Sequence, residues 1–250
     1  MCIFSLLVSS VANTNIFARS SSGGRQFLVY SMQYQADSEL AMILPLPTPV
    51  SPPEDAVRFI DLSSYPQFFE DMSDGFLQMS RGQPAAVALG DTAMLKVHEV
   101  GSFQASFVPH LRDFARLDSR FRLPDQAWEQ MPQYCDYAFA VFKLKAGAKE
   151  VHPMAFEFPR RNLQYLFFPT VHVHNGIVEP TADFDHSLYF QRPAQVDVPV
   201  DSDLMNSFGP AREFMDIART QGIVDADMTI QMKSLQGFDI NTDVVVREEV

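Results

Sequence analysis

Residues 137–158, YAFAVFKLKAGAKEVHPMAFEF, decide the fold class of this 250-residue chain. Two short apolar runs, Tyr137–Leu144 and Val151–Phe158, lie on either side of a turn that contains Gly147. Successive short strands joined by a tight turn favour antiparallel pairing, because parallel neighbours need a long crossover connection. The stretch therefore predicts an antiparallel sheet in which these two strands are neighbours.

Similar strand patterns lie on both sides of this stretch. Upstream, residues 25–34 and 39–44 surround a polar turn and predict a second hairpin. Downstream, residues 163–174 and 185–191 are also typical of strands. The sequence shows neither an internal repeat nor an alternation of strands with helices, which argues against a doubly wound fold. We therefore expect a single α+β domain over residues 1–250, dominated by antiparallel β-sheet.

A few helices are expected to pack against this sheet. In residues 65–79, apolar side chains such as Phe68 and Met72 recur at helical spacing, which is typical of a core-facing stripe. Pro124 near the start of residues 124–132 suits a first helical turn, because its missing N–H has no partner there anyway. Helices are predicted at residues 65–79, 111–117, 124–132 and 210–221.

The segment 45–53 contains five prolines in nine residues. Each proline removes a backbone donor and restricts the residue before it, so neither a helix nor a strand interior is expected there. We expect a rigid connector in the polyproline II conformation, and a ligand for an SH3-type domain is the alternative.

Charge and composition exclude several classes of protein. Nineteen Lys and Arg against 31 Asp and Glu give a net charge of −12, whereas nucleic-acid binding needs a basic surface. The acidic excess is concentrated in the C-terminal third, residues 176–250, where a solvated surface is expected. No apolar run is long enough to span a bilayer, and the apolar opening 1–12 lacks a basic flank. A cytoplasmic location is expected, with secretion as the alternative.

The only basic patch contains four arginines within eleven residues. Guanidinium groups bind carboxylates and phosphates in a fork geometry, so the patch can hold an anionic ligand or partner. Pairing with the acidic tail of the same chain is the alternative. The patch consists of Arg112, Arg116, Arg120 and Arg122.

The N-terminus carries a candidate nucleophile. Removal of the initiator methionine would leave Cys2 with a free α-amino group that can act as its own general base. Cys2 leading into a strand, with Arg19 after a second strand, resembles the start of the choloylglycine-hydrolase type of amidase. That resemblance implies an N-terminal nucleophile hydrolase with Cys2 and Arg19 in its active site. A small apolar residue in the first strand explains Cys2 equally simply.

A candidate metal site lies around a predicted turn. His172 and His174 share one face of an extended strand, and the returning segment places Asp183 and Asp185 on one face as well. Two imidazoles and a carboxylate are a ligand set for zinc or iron. Cross-strand surface pairs are the alternative, and His186 has the opposite parity. No other cofactor is expected, because no glycine-rich nucleotide-binding loop is present.

A thiolate–imidazole pair of Cys135 and His152 is a further hypothesis. Both residues adjoin neighbouring predicted strands, which would allow the two side chains to meet. A buried structural cysteine is the alternative, because the flanking residues match no thiol-protease signature.

The order of several segments resembles a bacterial domain family of unknown function. The resemblance covers about residues 2–170 and implies a β-rich fold without an activity. Its motifs are Ala41–Pro47, Val97–Phe103, Leu123-Pro124, Tyr137–Leu144 and Val151–Phe158. Taken together, the sequence favours a soluble β-rich binding or interaction protein whose partner is a small molecule or a protein. An N-terminal-cysteine amidohydrolase and a metal-binding protein are the alternatives.

Overall fold

The fold is taken from a computed structural model that describes residues 3–77, 104–174, 176–192 and 203–248. The side chains of residues 148–151 are not described. Cys2 and the predicted turn residue Asn175 lie outside the described residues.

Strands dominate the described part of the chain, which confirms the β-rich class. They are β1 (Ile3–Phe4), β2 (Ser10–Ser21), β3 (Arg25–Ala36), β4 (Leu40–Leu46), β5 (Arg58–Asp61), β6 (Gln104–Val108), β7 (Ala138–Leu144), β8 (Gly147–Pro159), β9 (Tyr165–Phe168), β10 (Thr181–Gln191), β11 (Leu204–Pro210), β12 (Thr229–Ile240) and β13 (Val244–Arg247). The α-helices are α1 (Phe68–Asp74) and α2 (Asp125–Glu129). Short 3₁₀ helices span Leu111–Arg116, Ser119–Phe121, Pro132–Tyr134, Ala211–Glu213 and Ile217–Thr220.

The strands form two main sheets and one additional pair. One sheet has the order β1-β4-β7-β6, the other has the order β11-β12-β10-β2-β3-β8-β5, and β13 pairs with β9. Strand pairs within them are antiparallel, except that β10 and β2 run parallel. This mixed topology agrees with an α+β class and differs from a doubly wound fold.

Both predicted hairpins are wrong, because consecutive strands lie in different sheets. Strand β3 pairs with β2 and β8, while β4 pairs with β1 and β7. Likewise β7 and β8 belong to opposite sheets. Strand β4 is buried along its whole length, so it is covered on both faces, as a strand in the middle of a layered structure is. The tight connections therefore carry the chain from one sheet to the other instead of joining neighbours.

Three apolar clusters hold these layers together. The largest lies between the two sheets and joins Leu28 and Tyr30 of one sheet to Leu44 and Phe142 of the other. A second cluster packs α1, through side chains such as Phe68, on the outer face of the seven-stranded sheet. A third cluster packs α2 and the nearby 3₁₀ helices on the outer face of the four-stranded sheet. Each sheet is thus buried on two faces over part of its area.

The helices are shorter than the sequence predicts. Within the predicted helix 65–79 only Phe68–Asp74 is helical, and residues 78 and 79 lie outside the described part. The predicted helix 210–221 divides into two 3₁₀ turns, and the second ends where Gln221 adopts a left-handed conformation with φ 52°. Short 3₁₀ turns are typical of connectors whose position is set by packing and not by helix propensity.

The proline-rich connector begins later than expected. Pro45 lies inside β4, opposite Phe139 of β7. Strand β1 pairs with β4 only at Met42 and Ile43, so no strand on that side needs a donor from Pro45. A proline is tolerated where a strand is locally an edge.

Candidate functional site

Of the predicted nucleophile pair, only Arg19 belongs to the described residues. Its Nε and Nη2 groups donate to the carbonyl oxygens of Ile223 and Gly222 at 2.7 and 2.6 Å. Its guanidinium also lies 5.3 Å from the centre of the Phe27 ring. Arg19 therefore fastens a loop to the seven-stranded sheet, whereas the chain at Ile3 enters the four-stranded sheet. The nucleophilic role of Cys2 stays a prediction.

The predicted histidine–aspartate hairpin is not formed. Strand β10 pairs with β12 and β2, and Val173 instead bridges to Ile3 of β1. The His172 ring packs against Phe184 and His186, with ring centroids 4.4 and 5.3 Å away. Of the two predicted carboxylates, Asp185 lies beside His186, with Asp185 Oδ1 3.6 Å from His186 Nδ1, and its Oδ2 accepts a hydrogen bond from the Asn13 amide at 2.7 Å.

Three histidines that the sequence did not bring together form a stack. The rings of His172 and His174 are 5.7 Å apart and inclined by 15°, and those of His172 and His186 are inclined by 20°. Parallel rings do not direct their lone pairs to a common point. Within the described ranges, no group of three His, Cys, Asp or Glu side chains is arranged to hold a metal ion. Burial lowers the pKa of His172 to about 2 and that of His174 to about 4.

Asp243 is a partly buried acid that holds the segment before His172. Its carboxylate accepts hydrogen bonds from the Tyr134 hydroxyl at 2.6 Å and from the Thr170 and Val171 amides at 2.9 and 3.1 Å. Burial raises the pKa of the Asp243 carboxyl to about 6, although these donors favour its charged form. The side chain ties the chain before β13 to the segment that carries His172.

Two arginines of the basic patch are paired with nearby acids. Arg116 Nη1 lies 2.6 Å from Glu54 Oε1, and Arg120 Nη2 lies 3.0 Å from Asp118 Oδ2. Among the described residues, the carboxylates paired with these two arginines therefore belong to Glu54 and Asp118 and not to the acidic stretch 176–250. Both remain exposed, so an anionic ligand stays a prediction.

Cys135 and His152 occupy different surroundings. Cys135 is exposed at the end of a 3₁₀ helix on the four-stranded sheet. His152 is buried on β8 in the seven-stranded sheet, where burial lowers its pKa. The expectation that Cys135 is buried is wrong.

An exposed acidic turn at the end of α1 is the feature that sequence reasoning missed. Asp74 is exposed, whereas Gly75 directly after it is buried. Asp71, one turn earlier, accepts a hydrogen bond from the Tyr65 hydroxyl at 2.6 Å. Helix α1 has no side-chain cap at its start and an acid at its end, where the helix dipole favours a cation. Its last turn is therefore intrinsically weak.

The chain around β11 covers the residue after Asp74. The Phe208 amide donates to the Gly75 carbonyl at 2.9 Å. A Cβ on Gly75 would lie 2.5 Å from Cζ of Phe214, so the glycine is needed for this close approach. Asp74–Gly75 is the single Asp-Gly pair in the sequence. Its position inside a predicted helix was the one sequence feature that could have indicated this exposed turn.

Comparison with solved structures identifies a similar fold. Baculovirus P35 matches with a TM-score of 0.57 and 14% sequence identity over 99% of this chain and 99% of P35. A mutated baculovirus P35 after caspase cleavage matches with a TM-score of 0.52 and 13% identity, over 95% and 100% of the two chains. P35 in the caspase-8/P35 complex matches with a TM-score of 0.50 and 14% identity, over 95% and 96%.

No family model matches the chain, and no curated protein matches it. In the described residues there is also no helix with the length and apolar character needed to cross a membrane.

Proposed function

We propose that this chain is an interaction protein that binds a cysteine protease of the caspase class and offers it the Asp74–Gly75 bond. The P35 fold extends over nearly the whole chain, and P35 has been solved after caspase cleavage and in a complex with caspase-8. The sequence also favours a β-rich interaction protein. The fold suggests the class of partner, and Asp74 suggests the point of contact.

The observation that carries the proposal is the exposed Asp74 followed by a glycine. Caspases hydrolyse the peptide bond on the carboxyl side of an aspartate, using a cysteine nucleophile. A residue without a side chain after that aspartate lets an enzyme approach the carbonyl closely. Asp74 meets the first requirement and Gly75 meets the second.

The helical state of Asp74 does not prevent such binding. A protease cleft binds its substrate as an extended strand, so the last turn of α1 must unwind. Helices shorter than about 12 residues are marginal by themselves, and α1 has seven residues. Its buried side chains Phe68, Phe69 and Met72 can stay in the core while the turn at Asp74 opens.

The experiment is incubation of the full chain with recombinant caspase-8, followed by intact mass measurement. We expect fragments 1–74 and 75–250, and loss of this cleavage in Asp74→Asn. Asp37→Asn is the matched control, because Asp37 is also exposed, lies between β3 and β4, and precedes a small residue. Catalytically inactive caspase-8 should co-elute with the uncleaved chain in size-exclusion chromatography. Absence of both cleavage and co-elution at micromolar concentrations would refute the proposal.

A further inference from the structure

We infer that Phe208, Phe214 and the Tyr65 hydroxyl form a latch that holds Asp71–Gly75 in the helical conformation and so controls access to the Asp74–Gly75 bond. The significance of that bond rests on the proposed function. The latch itself is a property of the fold and can be measured without a protease.

The first part of the latch acts on Gly75. Phe208 lies where the register between β11 and β12 shifts, between Asn206 and Pro210. Its amide donates to the Gly75 carbonyl at 2.9 Å. The Phe214 ring fills the space beside the Gly75 Cα, where a Cβ would be 2.5–2.8 Å from three of its atoms. Two contacts from one segment therefore fix the residue that follows Asp74.

The second part of the latch acts on Asp71. The Tyr65 hydroxyl donates to Asp71 Oδ2 at 2.6 Å and accepts from the Asp216 amide at 3.0 Å. Tyr65 is 1% exposed, so a competing water has little access to its side chain. A single hydroxyl thus connects the helix to the chain segment that also carries Phe214.

These two contacts lie on either side of Asp74 and oppose its extension. A helix rises about 1.5 Å per residue and a strand about 3.3 Å. The span from Asp71 to Gly75 must therefore lengthen from about 6 Å to about 13 Å before it can lie in a protease cleft. That change is impossible while Asp71 is held by Tyr65 and Gly75 by Phe208. Opening requires at least one of the two contacts to break.

Tyr65→Phe tests the latch, because it removes the hydroxyl and keeps the ring. Loss of the two hydrogen bonds should speed exchange of the Phe76 and Leu77 amides by about 5- to 25-fold, because each ordinary hydrogen bond corresponds to about fivefold. Those amides bond to Ser73 and Asp74 at 3.0 and 3.2 Å in the closed state. Hydrogen exchange followed by mass spectrometry reads them out directly.

Tyr34→Phe is the matched control. Its hydroxyl donates to the Lys145 carbonyl at 2.7 Å, which is a hydrogen bond of similar length in a different part of the fold. We expect Tyr34→Phe to leave exchange at Phe76 and Leu77 unchanged. Phe214→Ala is a second variant that should speed the same exchange by removing the packing on Gly75.

The two hypotheses fail separately. Unchanged exchange at Phe76 and Leu77 in both Tyr65→Phe and Phe214→Ala would overturn the latch, even if caspase-8 cuts the chain. Faster exchange with no cleavage of any variant by caspase-8 would support the latch and refute the proposed function. Faster exchange with a proportional rise in the rate of cleavage at Asp74 would support both.

Discussion

Replacing Gly75 by alanine tests the close packing at the end of α1. Gly75 has φ −62° and ψ −13°, which any residue adopts, and alanine favours a helix over glycine by about 1 kcal/mol. On propensity alone the variant should be more stable. The new Cβ would however lie 2.5, 2.6 and 2.8 Å from three atoms of the Phe214 ring. Overpacking of this kind costs about 1–3 kcal/mol, so after the gain in helix propensity we expect a net loss of up to about 2 kcal/mol in the free energy of unfolding.

A double-mutant cycle in urea separates the clash from other effects. Gly75→Ala should lower the denaturation midpoint in the wild-type background. In the Phe214→Ala background the same substitution should be neutral or stabilising, because the ring is no longer present. The reasoning is refuted if Gly75→Ala stabilises the wild-type protein, or if its effect is the same in both backgrounds.

Three further predictions concern charge and the N-terminus. The folded state keeps His172 neutral down to a pKa of about 2, while the unfolded chain takes up a proton near pH 6.5, so stability should fall as the pH drops from about 6.5 towards 4. Urea midpoints across this range should fall less steeply in His172→Gln, and more steeply in Asp243→Asn, because the raised pKa of Asp243 has the opposite effect. Glu248→Ala should cost about 3–5 kcal/mol in thermal or urea unfolding, because it leaves the buried Arg160 guanidinium without its carboxylate, and a loss below about 1 kcal/mol would contradict this. If Cys2 is a nucleophile, intact mass should show loss of the initiator methionine, and its retention would end that hypothesis.

The sequence predicted the class of the fold better than its connections. Alternation and β-branched or aromatic residues identify strands such as β3 and β8, because these features depend on local packing. They do not reveal which sheet a strand joins. Strands β7 and β8 are joined by a tight turn and yet lie in different sheets, since each buries apolar side chains towards the shared core. Which strands pair with each other depends on the tertiary fold, and the local sequence pattern does not determine it.

The candidate site, like the fold, could be predicted from the sequence only in part. The stripe that includes Phe68 and Met72 was correctly predicted to be core, because its spacing matches the helical period. The same pattern hid Asp74, because it does not show that the helix ends there and that Gly75 packs against Phe214, far along the chain. His172 and His186 meet because β10 pairs with β12 and β2 and not with the histidine segment. Contacts of this range follow only from the assembled fold.

The parallel pairing of β2 with β10 has a consequence for synthesis of the protein. Thr14 and His186 are neighbours in this pair, although one is near the start of the chain and the other is in its last third. At about 5–20 residues per second, a ribosome finishes β10 on the order of ten to thirty seconds after β2. During that interval β10 has not been synthesised, so the nascent N-terminal strands expose an apolar edge that has no partner strand. We therefore expect folding to be completed late in translation, with the early strands dependent on chaperones until β10 emerges.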